Sequence, residues 1–180
     1  MTPNIKNIIK DIALSIVGIE EIGNNEGFTS KFLVEYGMEF SEMLRTVGWK
    51  PPQAYCAYTA EAVWKMAYSK HDSLIVKELD TLFSANSMQT LENFKQSRFK
   101  VSKYGCIGAL AIYSHYKNGR PTSKGHTDIV IEPGEVFKIV GGNILGKNGK
   151  DIVGQKTRIK NFDNKKGMVL QAFIHPIEIL

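Results

Sequence analysis

Two side chains far apart in the sequence, Cys56 and His126, have the types and local settings from which thiol chemistry is built. Cys56 lies a few residues past Pro51 and Pro52, near the start of the Ala-rich stretch QAYCAYTAEAVWKMAYS. The first N–H groups of a helix lack partners within it and carry partial positive charge, which stabilises a thiolate. His126 follows Gly125 and opens the apolar run HTDIVI, and an imidazole is the usual base for a cysteine nucleophile. Each residue also has a bland reading, Cys56 as a small apolar side chain and His126 as a residue at a loop-to-strand junction. The order favours the pair: a helix-start cysteine, then a glycine-led histidine opening a strand, is how thiol hydrolases bring the two together.

A third group must orient the imidazole. If Pro133–Gly134 is a two-residue turn, Glu132 faces Glu135, Val130 faces Phe137, Asp128 faces Ile139 and His126 faces Gly141. The orienting group then comes from near Gly141, where Asn143 is the nearest polar side chain, or from Asp128 on the same strand face. Glu132 and Glu135 read as solvated turn charges. An oxyanion formed by attack on a carbonyl would be held by the Cys56 backbone N–H and one further donor, from Gln53 or Tyr55. Tyr55 is equally a packing aromatic and Gln53 a solvated loop residue.

The other conspicuous residues have structural readings. Cys106 sits before a strand with no activating pattern, and His71, His115 and His175 show no metal spacing. Trp49 and Trp64 belong to the core or line a groove. Tyr113, Tyr116 and Arg120 are by default exposed loop residues, with the border of a substrate groove as the alternative.

The positioning elements follow from periodicity. Ile5, Ile8, Ile9, Ile12 and Ile16 recur at three- and four-residue steps, one face of a helix. Phe32, Leu33, Tyr36, Phe40, Met43, Leu44 and Val47 predict a second helix closed by Gly48. A buried helix carrying Cys56 follows the prolines, and residues 72–98 predict further helix with loops. From Gly105 onward short β-rich runs alternate with turns: IGALAIYSHY, HTDIVIE, EVFKIVGGN, VGQKTRIKNF and MVLQAFIHPIEI. Helices first and antiparallel strands second make an α+β domain, with N-terminal helices packed on a C-terminal sheet.

Bulk composition bounds the rest. The 180 residues, 43% hydrophobic and 23% charged, suit one globular domain spanning 1–180. No run approaches the ~20 apolar residues of a membrane span, so no membrane partner is expected. Asp11, Glu20 and Glu21 interrupt the N-terminal apolar residues, so no secretory signal is expected, and the chain is expected to stay cytoplasmic until released or exported. The net charge of +5 means attraction to polyanions, but the basic residues are scattered and form no nucleic-acid tract; no nucleic acid is expected as partner. Two cysteines, with no CxxC, exclude a disulfide framework and a zinc cluster.

Taken in order, AYCAYTAEAVW, GALAIY, GHTDIVI and GGN, preceded by GIEEIGNNEGFTSKFL, resemble the cysteine, histidine-dependent amidohydrolase/peptidase (CHAP) domains of the NlpC/P60 papain-like superfamily. The resemblance spans roughly residues 16–145. It implies a papain-like fold, Cys56 as nucleophile, His126 as base and then acid, and no metal or organic cofactor. The implied substrate is peptidoglycan, cut at an amide between muramic acid and the stem peptide or within the peptides, and the implied site of action is the bacterial wall. A phage endolysin or a secreted antibacterial effector would fit, the latter with a partner immunity protein. Three positions depart from the family's pattern: Gly141 stands where an acid is usual, Ala109 where an Asp is usual, and Asp128 where a glycine is usual. These leave Asn143 or Asp128 to orient the ring, or a non-catalytic wall- or glycan-binding module as the alternative.

Overall fold

The computed structural model describes residues 4–163 and 165–179. Among them, five α-helices fill the first half and a six-stranded antiparallel sheet the second, the α+β order expected. Helix α1 (Ile5–Ser15) starts where the Asn4 side chain accepts a hydrogen bond from Asn7 N–H, and it buries Ile5, Ile9, Ile12 and Ala13. Two small hairpins follow, β1 (Glu21–Ile22) with β2 (Gly27–Phe28), and β3 (Phe32–Leu33) with β4 (Met38–Glu39).

The helix predicted from Phe32 onward begins only at Phe40, as α2 (Phe40–Thr46). Gly37 takes a left-handed φ of 64°, which closes the β3–β4 hairpin, and Glu39 and Glu42 then form a reciprocal capping box. Local start signals override the apolar spacing. Helices α3 (Cys56–Ser69), α4 (Ser73–Leu82) and α5 (Ser87–Lys95) complete the half, the last two capped by Asp72 and Asn86.

Helix α3 is buried on every side over its first nine residues, Cys56 to Trp64. Trp64 anchors it: the ring packs among Tyr68, Phe83, Phe94 and Phe99, and the indole N–H donates to the Gly108 carbonyl at 3.0 Å. Burial of one such side chain contributes roughly 2–3 kcal/mol. Trp49 is also buried, with its N–H on the Gln53 carbonyl at 2.8 Å. Both tryptophans are core residues.

The sheet comprises β5 (Val101–Ser102), β6 (Leu110–Lys117), β7 (Arg120–Glu132), β8 (Val136–Leu145), β9 (Asp151–Ile159) and β10 (Gly167–Ile174), in spatial order β5-β10-β6-β7-β8-β9. Alternation splits its side chains between two clusters. Leu110, Ile112, Ile129, Ile131 and Val140 join the helices, whereas Ala111, Tyr113, Val130, Phe137 and Ile139 form a second cluster on the other face. Tyr113 is therefore a buried strand residue and not part of an exposed loop. Among the described residues, no helix is long and apolar enough to cross a membrane.

The β7–β8 register differs from the one predicted. Val130 pairs with Ile139 and Ile129 with Val140, and a bulge lets Glu132 meet Lys138. Pro133, Gly134 and Glu135 all belong to the connection, so the turn is not the two-residue type. The consequence is functional: continuing the observed register sets Asp128, not His126, across from Gly141.

Candidate active site

The start of α3 packs against β7 and β8, which brings Cys56 to His126. Cys56 is only 8% exposed, and no side chain caps the helix at Tyr55, so the first N–H groups of α3 remain free beside the sulfur. Burial pushes the Cys56 thiol up. The His126 charge, a side-chain hydrogen bond from His126 and the Thr127 backbone N–H together outweigh burial and hold the thiol below its ordinary value.

His126 is itself buried, at 7% exposure. Its Nε2 lies 2.7 Å from Asp128 Oδ1, which leaves Nδ1 as the nitrogen free to face the sulfur. Burial alone would push the imidazole pKa down; Asp128 and the Cys56 thiolate instead push it up to about 10. A lowered thiol beside a raised imidazole favours transfer of the thiol proton to the ring.

Asp128 is fully buried, and both its oxygens are used. Oδ1 meets the imidazole, while Oδ2 accepts from Arg158 Nε at 3.3 Å and Nη2 at 3.2 Å. Burial would raise the carboxyl; His126 and Arg158 hold it below the usual carboxylate range. The Arg158 guanidinium also lies over the Tyr113 ring, 5.6 Å from its centroid, and that ring sits 6.0 Å from the imidazole. Tyr113 thus fills the space between arginine and histidine. Burial and the Asp128 charge keep its hydroxyl protonated well above neutral pH.

Gly141 explains how Asp128 fits. A Cβ at residue 141 would overlap Asp128 Oδ1 and lie 3.6 Å from His126 Nε2. The bare backbone of β8 makes room for an acid supplied by β7. Asp128 and Gly141 are therefore sterically linked: the acid occupies the space that a side chain at residue 141 would need.

Asn143, the first candidate for orienting the ring, stands elsewhere. It adopts a left-handed φ of 51°, and its Oδ1 accepts from the Tyr55 backbone N–H at 2.6 Å. Its Nδ2 donates to Asn25 Oδ1 at 3.0 Å and to Asp151 Oδ2 at 3.4 Å. Continuing the observed register would set residue 143 opposite His126, but the left-handed backbone at Asn143 and the irregular β8–β9 pairing between Gly141 and Ile144 turn its side chain away, so Asn143 fixes the residue preceding the nucleophile and not the histidine. Tyr55 is then removed as an oxyanion donor: its N–H is occupied, and its ring is buried 4.7 Å from that of Phe28. Gln53 keeps that capacity. Its Oε1 accepts from Lys50 N–H and from the Tyr58 hydroxyl, both at 3.1 Å, which leaves its Nε2 as a donor.

The remaining residues sort plainly. Cys106 is half-buried and its thiol is pushed up by burial, the opposite of Cys56. His175 meets the Ser102 hydroxyl at 2.9 Å. Tyr116 and Arg120 lie on β6 and β7, where Tyr116 pairs with Pro121 and Lys117 with Arg120, away from the sulfur. Among the described residues, no group of three or more His, Cys, Asp or Glu is arranged to hold a metal ion. Sequence reasoning missed Arg158 and Thr127. Neither carries a local signal, because Arg158 reaches Asp128 only through the β7–β8–β9 order, and Thr127 acts through its backbone.

Compared with known proteins, the chain matches no family model, and neither curated proteins nor solved structures provide a similar one. What this site can do chemically is therefore carried by its own geometry.

Proposed function

We propose that this chain is a cysteine-dependent amide hydrolase of papain-like, CHAP-type architecture, acting on the peptide amides of bacterial peptidoglycan. The observation that carries the reading is the buried Cys56–His126–Asp128 chain at the uncapped start of α3. A structural cysteine needs no imidazole, and a structural histidine needs no neighbour that charges it. The resemblance of AYCAYTAEAVW, GHTDIVI and GGN to wall hydrolases supplies the substrate class.

In this mechanism the Cys56 thiolate attacks the scissile carbonyl. The oxyanion is held by N–H groups at the start of α3 and by Gln53 Nε2. His126, already protonated, gives its proton to the leaving amine, which departs as the tetrahedral intermediate collapses to a thioester. The neutral imidazole then takes a proton from water. The hydroxide adds to the thioester, and the acid product leaves with Cys56 again a thiolate and His126 an imidazolium. Asp128 keeps Nε2 protonated and the ring aimed throughout, and Asn143 keeps the residue before the nucleophile in place.

The binding-module reading drew its support from the missing acid at Gly141. With Asp128 on the imidazole, that support is gone. The test compares wild type with Cys56→Ala on purified peptidoglycan from several bacteria, following turbidity and newly exposed amines. Clearing by the wild type alone is the expected result. Equal clearing by both proteins, or clearing by neither, would overturn the assignment.

A further inference from the structure

Beside the catalytic pair lies an open cavity of about 480 Å³. Two of its lining residues, Ala54 and Gly125, adjoin the catalytic machinery in sequence, one two residues before Cys56 and the other immediately before His126. Ala54, Ala85 and Gly125 leave room between the longer side chains of Asn86, His115 and Lys124. Gly125 is held to this form, since a Cβ there would come within 2.9 Å of the Tyr113 carbonyl and 3.0 Å of Ser87 Cβ.

The cavity has one charged wall residue. Lys124 lines it, no acidic side chain does, and Lys124 makes no ion pair among the described residues. His115, also on the wall, is pushed down by burial and the neighbouring positive charges, and so adds a neutral ring. Ser87 adds a buried donor. Its hydroxyl, only 3% of the residue being exposed, accepts from Thr127 Oγ1 at 2.8 Å, which leaves its own proton for another acceptor. The Thr127 N–H in turn bonds the Cys56 sulfur, so what occupies the cavity is coupled to the nucleophile through one residue.

A cationic, donor-rich, acid-free recess suits an anionic acceptor with planar oxygens. We propose that this cavity is a carboxylate-selective subsite of the catalytic cleft. It takes peptides whose free carboxylate lies within about one residue, roughly 3.5 Å of extended chain, of the scissile amide. The inference rests on the thiol-hydrolase reading for the bond that is cut, and it adds the charge class of the substrate.

The probes are N-bromoacetyl-β-alanine and its carboxamide, which differ only in the terminal charge; in both, the thiolate displaces bromide. Alkylation of Cys56 is followed by mass spectrometry, and each rate is divided by that for bromoacetamide with the same protein. The acid is expected to react about five-fold faster than the amide in the wild type, the upper end for an exposed charge pair. Lys124→Gln brings the ratio toward one, and Lys124→Glu inverts it. His126 attracts the acid equally in all three proteins, so the difference among them reports the cavity. A wild-type ratio of one, or a ratio indifferent to Lys124→Glu, overturns the subsite. If bromoacetamide itself shows no preference for Cys56, it is the thiolate reading that fails. The subsite is then decided by NMR titration with N-acetyl-β-alanine and its amide. Shifts at His115 and Gly125 with the acid alone support it, and equal or absent shifts overturn it.

Discussion

Exchanging Asp128 and Gly141 tests whether the two positions share one acid. The Asp128→Gly change alone removes the partner of the imidazole. A charge-assisted hydrogen bond of this kind contributes about 1.5–3 kcal/mol, which at about 1.36 kcal/mol per decade is a roughly 10- to 150-fold loss of reactive thiolate. The Gly141→Asp change alone sets a second carboxylate where its Cβ already overlaps Asp128 Oδ1, so two acids compete for one buried space. If the positions were independent, the two losses would multiply. In the double variant the new aspartate has the space to itself. Its Cβ lies 3.6 Å from His126 Nε2, close enough for its carboxylate to take over the bond. The double variant should react faster than the product of the two single losses predicts and return toward wild type. The assay is alkylation of Cys56 by iodoacetamide at pH 6, where an ordinary thiol is protonated, with urea unfolding run in parallel to confirm folded protein. A double variant slower than both single variants would refute the steric link.

Two further outcomes follow from the charges. Arg158 neutralises part of the Asp128 field, and that field raises both Cys56 and His126. Arg158→Met should therefore move both limbs of the alkylation–pH profile upward together, by under about one pH unit. A rate lowered at every pH with both limbs unmoved would leave Arg158 as a packing residue only. The second outcome concerns stability. Transfer of a proton from sulfur to imidazole involves no net uptake, so the lowered thiol offsets the pH slope that the raised histidine would contribute by itself. In Cys56→Ala only the histidine remains, still raised by Asp128. Its contribution is full below 6.5 and is lost as pH rises through the folded value, with a slope of at most about 1.36 kcal/mol per pH unit. Urea midpoints from pH 6 to 9 check this, and parallel curves for wild type and variant would exclude the pair.

Much of the frame was legible because it follows from local rules. The isoleucines of α1, the prolines before α3 and the β-rich runs after Gly105 all announce their elements, and Cys56 stands at the start of α3 as expected, whereas His126 lies in the middle of β7 (Arg120–Glu132) and does not open the strand. The stretch from Phe32 to Phe40 was not legible from apolar spacing, because Gly37 and the Glu39–Glu42 box decide it. The roles of Asn143 and Asp128 turned on register and on the backbone at residue 143. The assumed two-residue turn set Gly141 opposite the histidine with Asn143 nearby; the observed register would bring residue 143 opposite the ring, but its left-handed backbone sends the side chain to Tyr55, and Asp128 meets the ring instead.

Cross-strand pairing also explains why the acid that meets the ring is hard to pick out in a sequence. Positions 128 and 141 are thirteen apart along the chain, yet paired strands make them alternative roots for a carboxylate occupying the same few cubic ångströms. What the imidazole requires is negative charge at Nε2, and it is indifferent to the strand that delivers it. The glycine across the pair is then a steric condition for an acid rooted on β7. The same reasoning assigns Arg158 its place. An acid rooted on β7 sends its second oxygen toward β9, two strands away, and there the guanidinium meets it at 3.2 Å over the Tyr113 ring. The acid, the glycine and the arginine therefore form one arrangement. In the double variant, where the acid springs from β8, Arg158 should no longer control the pH limbs.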